Sequence, residues 1–192
     1  SAAAIETAET VLKTMLAPGG LAIVDPAMAD NGKLYSGFDE AYVEKMKGLC
    51  AQADFVLPNL TEAALLAGLP WEDRTDAAYG EFLLKRLSLP RVLLTGVGEQ
   101  TSGFLLKDGE RFRAYFHPRL SGSFSGTGDL FAAAFTGLLA SGKDVYESGV
   151  CAANFTCKAI ARTAAHRTHW YGLQFEPVLP ELMAMCGREA EA

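Results

Sequence analysis

Apolar residues recur at helical spacing from the start of the chain. Ile5, Ala8, Leu12, Met15 and Leu16 fall on one helix face, and Pro18-Gly19-Gly20 stops the helix. The period then changes. Leu21-Ala22-Ile23-Val24 is a short unbroken apolar run, the pattern of a strand buried on both faces of a parallel sheet. It ends at Asp25-Pro26, and a long polar loop is expected through Asp30-Asn31-Gly32. Tyr42, Val43, Met46, Leu49 and Cys50 restore the helical period, and Phe55-Val56-Leu57 reads as a second buried strand ending in Pro58-Asn59. Helices are expected near 61–67 and 76–87. A third strand is expected over 91–95, closed by Gly96-Val97-Gly98. Segments 103–107 and 111–116 flank Asp108-Gly109 as a hairpin. Helices should follow near 129–140, with Gly142 as its stop, near 144–162 and near 178–186, before a frayed, charged tail.

Strands alternating with helices predict an α/β fold of three layers, α/β/α, with a mostly parallel central sheet. In such sheets ligands sit beyond the carboxyl ends of the strands. Asp25, Asn59 and Thr95 each fall at such an end. No internal repeat or linker divides the chain, so residues 1–192 are read as one domain.

Composition narrows the function classes. A net charge of −6 with no basic stripe argues against a nucleic-acid surface. Every apolar stretch is broken by Gly, Pro or charge, so neither a membrane span nor a signal peptide is expected. Cys50, Cys151, Cys157 and Cys186 form no Cys-x-x-Cys pair and, with His117, His166 and His169, no zinc pattern. They read as reduced, mostly buried thiols of a cytoplasmic protein. His166 and His169 are placed to share a helix face in a surface or capping role.

The most informative stretch is Ser121-Gly-Ser-Phe-Ser125-Gly126-Thr127-Gly128-Asp129, running into the apolar helix from Leu130. Glycines let backbone N–H groups converge on an anion, and the helix dipole points the same way. Asp129 falls in the first helical turn, beside where a phosphate would lie, which suggests phosphoryl transfer to an alcohol. Asp near a helix start is also ordinary capping chemistry. Pro58-Asn59-Leu60-Thr61-Glu62 carries the same ambiguity, because Asn-x-x-Glu is a capping box in its own right. Asp25-Pro26 is likewise a turn signal and Thr95 an ordinary strand-end hydroxyl.

Taken together, four blocks resemble the pyridoxal (vitamin B6) kinases of the ribokinase-like superfamily. They are Asp25-Pro-Ala-Met-Ala-Asp30, Pro58-Asn59-x-x-Glu62-Ala63, Val92-Leu-Leu-Thr95-Gly96 and Gly126-Thr-Gly-Asp129-Leu-Phe-Ala132. The resemblance runs in family order over about residues 1–162. It implies ATP along His117, Ser125 and the glycine loop, with Thr95, Gly96 and Asn59 near the phosphates. It implies Gly126, Thr127 and Gly128 as donors to the moving phosphoryl group and Asp129 as the base that takes the proton of a hydroxymethyl group. It implies Mg²⁺ near Asp25, Asp30 and Glu62, with Glu62 acting through water, and it admits a monovalent cation such as K⁺.

Thr127 and Asp129 favour B6 vitamers over sugars and hydroxymethylpyrimidine, the neighbouring branches of the resemblance. Leu57, Ala27 and Ala29 depart from the family pattern, and Ala29 in place of glycine is expected to stiffen or shift its loop. Family members also carry a further N-terminal segment that supplies strands and much of the ring pocket. The fold is therefore expected to be N-terminally truncated, with an exposed sheet edge that invites association, and a homodimer is the family expectation. A competing expectation is a fragment that binds nucleotide or associates without turnover.

Overall fold

A computed structural model describes residues 2–122, 124–165 and 172–186 of the 192-residue chain. His166, His169 and the charged tail lie outside the described residues. The chain divides into two compact units, residues 1–116 and 117–192.

The first unit opens with helix α1 (Ala2–Met15) and strand β1 (Ile23–Val24), followed by the small strands β2 (Ala29–Asp30) and β3 (Lys33–Leu34). Helix α2 (Glu40–Cys50), strand β4 (Phe55–Val56) and helices α3 (Leu60–Leu66) and α4 (Ala77–Arg86) come next. Strands β5 (Arg91–Val97), β6 (Thr101–Asp108) and β7 (Arg111–Pro118) complete the sheet. Its order is β1-β4-β5-β6-β7. β1, β4 and β5 run parallel, and β6 returns antiparallel beside β5.

Register explains the two faces. Val24 pairs with Val56 and Val56 with Val92, so the three valines share one face, together with Leu94. That face packs against all four helices of the unit. Ile5, Val43, Met46 and Leu49 from α1 and α2 meet Val24 and Val56. Leu60, Ala63, Tyr79, Leu83 and Leu84 from α3 and α4 meet Val92, Leu94 and Leu105. The opposite face carries Phe55 and Leu93, both buried. Lys107 crosses from β6 to α4, where its Nζ donates to the carbonyls of Leu84 (3.2 Å) and Leu87 (2.9 Å).

The second unit is helical. α5 (Thr127–Ala140) packs along α6 (Val145–Ala165) through the buried Phe131, Phe135, Leu138, Ala152, Phe155 and Ala159. A 3₁₀ turn (Glu176–Val178) leads into α7 (Leu179–Met185).

Four sequence expectations are corrected. The polar loop after Asp25 contains a hairpin, β2 against β3, closed by Asn31 (φ +49°) and Gly32 (φ +74°). Both central residues have positive φ, the signature of the turn that matches strand twist. The strand expected to close at Thr95 continues to Val97 through an irregularity at Gly96. The β6–β7 connection is Gly109-Glu110, one residue later than the Asp108-Gly109 pair. Of the thiols, Cys50 alone is buried, and Cys151, Cys157 and Cys186 are half-buried. β1 lies at one edge of the sheet of the described residues, and Leu21 just before it is 46% exposed.

Candidate functional site

The carboxyl ends of β1, β4 and β5 lie side by side because the three strands are parallel and in register. Asp25 follows β1 directly, half-buried, and its Oδ1 accepts the Ala27 amide at 3.2 Å. Asn59 follows β4 and forms a parallel bridge to Thr95 of β5. The Thr95 amide donates to the Pro58 carbonyl at 2.9 Å and its hydroxyl donates to the same oxygen at 3.4 Å. Gly96 is exposed beside it.

Asn59 and Glu62 build the α3 N-terminus as a full capping box. Asn59 Oδ1 accepts the Glu62 amide at 3.0 Å, and Glu62 Oε2 accepts the Asn59 amide at 3.0 Å. The side chains then do more than cap. Glu62 Oε1 accepts the Met28 amide at 2.7 Å and the Ala29 amide at 3.3 Å. Asn59 Nδ2 donates to the Ala29 carbonyl at 2.7 Å. Glu62 is 2% exposed. Burial pushes its carboxyl from 4.5 up to about 7; the amides of Asn59 and Met28 pull it down, the Asp25 charge raises it again, and the Ala29 amide lowers it.

Asp30 is exposed on the β2–β3 hairpin, and its carboxylate accepts from the Asn31 amide (2.9 Å) and side chain (3.0 Å). Thr61 was not singled out from the sequence. It is 3% exposed, and its hydroxyl accepts the Gly32 amide at 3.0 Å. Trp71, also missed, packs against Gly32 so closely that a Cβ there would lie 2.4 Å from the indole Cδ1. The Asn31-Gly32 pair was the available signal for this hairpin.

In the second unit, Gly126 is the N-cap of α5 with φ +82° and no side-chain cap on the helix. Thr127, Gly128 and Asp129 form the first turn, with Gly126, Gly128 and Asp129 exposed. Among the described residues no side chain caps that turn, and an acidic side chain belongs to it. Ser125 is exposed just before the cap. His117, next to last in β7, has its imidazole 3.3 Å from Cys157 Sγ on α6, a contact the sequence did not suggest.

Carboxylate oxygens are the hard donors that a divalent ion such as Mg²⁺ takes. Asp25 and Asp30 offer carboxylate oxygens, and among the described residues no group of three or more His, Cys, Asp or Glu is placed as a cage. Mg²⁺ is commonly held by one or two carboxylates, water and substrate phosphates, an arrangement that needs no cage. No helix of the described residues is long and apolar enough to cross a membrane.

The phosphomethylpyrimidine kinase family model matches residues 2–173. A pyridoxal kinase of Dictyostelium discoideum is 25% identical over 151 residues, covering 69% of this chain and 50% of that protein. The crystal structure of pyridoxal kinase from Lactobacillus plantarum superimposes with TM-score 0.84 at 32% identity, covering 96% of this chain and 68% of that one. Pyridoxal kinase from Staphylococcus aureus, solved in complex with AMP-PCP and pyridoxal, superimposes with TM-score 0.67 at 26% identity, covering 83% and 58%. The chain spans about half or less of the length of the curated relatives it matches. With a family match over nearly its whole length and a mixed α/β fold shared with these kinases, the chain belongs to the phosphomethylpyrimidine kinase family, among the pyridoxal kinases of the ribokinase-like superfamily.

Proposed function

We propose that this protein is an ATP-dependent kinase acting on the hydroxymethyl group of a B6 vitamer, with Asp129 as general base. The observation that carries this reading is the start of α5. Its first turn leaves amides without a side-chain cap and sets the exposed Asp129 beside them. Such amides stabilise charge on a transferring phosphoryl group without reorganising. Asp129 accepts the hydroxymethyl proton, the freed oxygen attacks the γ-phosphorus, and ADP leaves. Gly126, Thr127 and Gly128 hold the phosphoryl oxygens, while Ser125, His117, Thr95, Gly96 and Asn59 contact the nucleotide. Asp25 and Asp30 hold Mg²⁺, and Glu62 supports that edge. The ion neutralises phosphate charge when bound. The relative solved with AMP-PCP and pyridoxal supports both ligand classes for this chain.

In this reading residues 1–192 form one kinase domain working in the cytoplasm. It associates as a homodimer or through the β1 edge of the sheet, where Val11, Met15, Leu16 and Leu21 are exposed apolar residues nearby in sequence.

The description of the matching family favours one second reading, a hydroxymethylpyrimidine kinase. The test is ATP-dependent turnover of pyridoxal and of hydroxymethylpyrimidine in parallel, with Asp129→Asn as control. The B6 reading expects turnover of pyridoxal that falls roughly 10²–10⁴-fold in the variant. Preference for the pyrimidine moves the assignment to the second reading. Nucleotide binding without turnover of either makes this chain a nucleotide-binding fragment.

A further inference from the structure

Asn31 and Gly32 form the closing turn of the β2–β3 hairpin, and the kinase reading gives them no part. The chain has three asparagines, Asn31, Asn59 and Asn154. Only Asn31 precedes glycine; Asn59 precedes Leu60 and Asn154 precedes Phe155. That neighbour matters chemically. Glycine has no Cβ to shield its own nitrogen, so its amide can close onto the side-chain carbonyl carbon of the asparagine before it. Asn31 is exposed, so water reaches the imide that such a closure makes.

The folded hairpin opposes that reaction. The Gly32 amide donates to the buried Thr61 hydroxyl at 3.0 Å, which keeps the proton on the nitrogen that has to lose it. The indole of Trp71 lies against Gly32, where a Cβ would stand 2.4 Å from its Cδ1, and closes one approach to the peptide. Asp30 holds the asparagine itself: Oδ1 accepts the Asn31 amide at 2.9 Å and Oδ2 accepts its Nδ2 at 3.0 Å. The turn is thus fixed with Asn31 at φ +49° and Gly32 at φ +74°. A turn held shut by a side chain of another element reacts only when it opens locally.

We propose that Asn31 is a deamidation site of this protein, and that the Thr61 hydroxyl sets its rate by holding the Gly32 amide. In the opened hairpin the Gly32 nitrogen loses its proton and attacks the Asn31 side-chain carbonyl carbon. The new C–N bond forms, the bond from that carbon to Nδ2 breaks, the proton goes to Nδ2 and ammonia leaves. Water then opens the cyclic imide at either carbonyl, giving aspartate or isoaspartate. The product adds a negative charge next to Asp30 and removes the Nδ2 donor. The isoaspartyl form also adds a methylene to the main chain, which disrupts the pairing of Asp30 with Lys33. The site stands apart from the kinase reading.

The test incubates the full chain in mildly alkaline buffer and follows the tryptic peptide 14–33 by mass spectrometry. That peptide contains Asn31 and no other Asn or Gln. The same peptide in isolation, where nothing holds Gly32, sets the unprotected rate. The full chain is expected to convert at Asn31 and at neither Asn59 nor Asn154, at least about 10-fold more slowly than the peptide. The product should be a mixture of aspartate and isoaspartate. Thr61→Val keeps the shape of the side chain and removes the acceptor, and should speed conversion about 3- to 10-fold. Should that variant not fold, the wild type decides. Its slowing relative to the peptide should match the hydrogen-exchange protection of the Gly32 amide within about 3-fold, because both need the same opening.

A full chain that stays unconverted while the peptide reacts overturns the site. Aspartate without isoaspartate overturns the route through the Gly32 nitrogen. A folded Thr61→Val that converts at the wild-type rate, or a slowing that departs from the exchange protection of Gly32, overturns the control by Thr61.

Discussion

Asn59 joins two segments 30 positions apart: its Nδ2 donates to the Ala29 carbonyl at 2.7 Å while its Oδ1 caps the Glu62 amide at 3.0 Å. The two functions separate by substitution. Asn59→Asp keeps the cap but leaves the Ala29 carbonyl without its donor and adds charge beside Glu62. Asn59→Ala loses both contacts, about 1 kcal/mol for the cap and about 1–3 kcal/mol for the buried carbonyl. Urea unfolding should rank wild type above Asn59→Asp and Asn59→Ala, each variant losing at least about 1 kcal/mol. Two variants indistinguishable from wild type would show that the contact carries no stability.

Gly126 stands at φ +82°, and among the described residues a Cβ there would meet only Asp129 Oδ2, at 3.9 Å. Space is therefore not the obstacle to Gly126→Ala; the backbone conformation is, at about 1–2 kcal/mol. Relief of that strain re-aims the amides of the first turn of α5. Turnover should fall by more than the stability loss implies, at least about 10²-fold, with the thermal midpoint lowered by only a few degrees. Activity within about 2-fold of wild type would remove the first-turn amides from the mechanism.

Glu62 makes stability depend on pH. Burial raises its carboxyl from 4.5 to about 7 in the folded protein. Between those values the folded chain keeps a proton that the unfolded chain has released. Stability from this group is therefore full at low pH and is lost as pH rises through about 7. The shift corresponds to about 3 kcal/mol. Glu62→Gln should flatten the slope of unfolding free energy between about pH 4.5 and 7, measured by urea titration at each pH. An unchanged slope in the variant would assign the pH dependence elsewhere.

Lys107 ties β6 to the end of α4 through the Leu84 and Leu87 carbonyls. A cation at a helix C-terminus complements its dipole. Lys107→Met keeps the aliphatic stem and removes both donated bonds, and should cost about 1–2 kcal/mol. Hydrogen exchange should show the loss concentrated in residues 83–87. A uniform loss across the sheet would mean that the stem, not the charge, matters.

Interactions that close within a few residues were legible along the chain. The α1 stripe with its Pro18-Gly19-Gly20 stop and the Asn59–Glu62 capping box rest on contacts between neighbours in sequence, as does Asp129 in the first turn of α5. The family blocks were equally readable. The β2–β3 hairpin was not, because strands of two residues have no period to read, although Asn31-Gly32 marked the turn. Tertiary structure alone decided that Glu62 reaches back to Met28 and Ala29, that Thr61 holds Gly32, and that Ala27 takes a left-handed backbone. These depend on the parallel register that sets β1 beside β4, and register is fixed by the joint packing of Val24, Val56 and Val92 against α1 to α4. Local sequence specifies each element; only their simultaneous burial specifies which distant amide a buried carboxylate must satisfy.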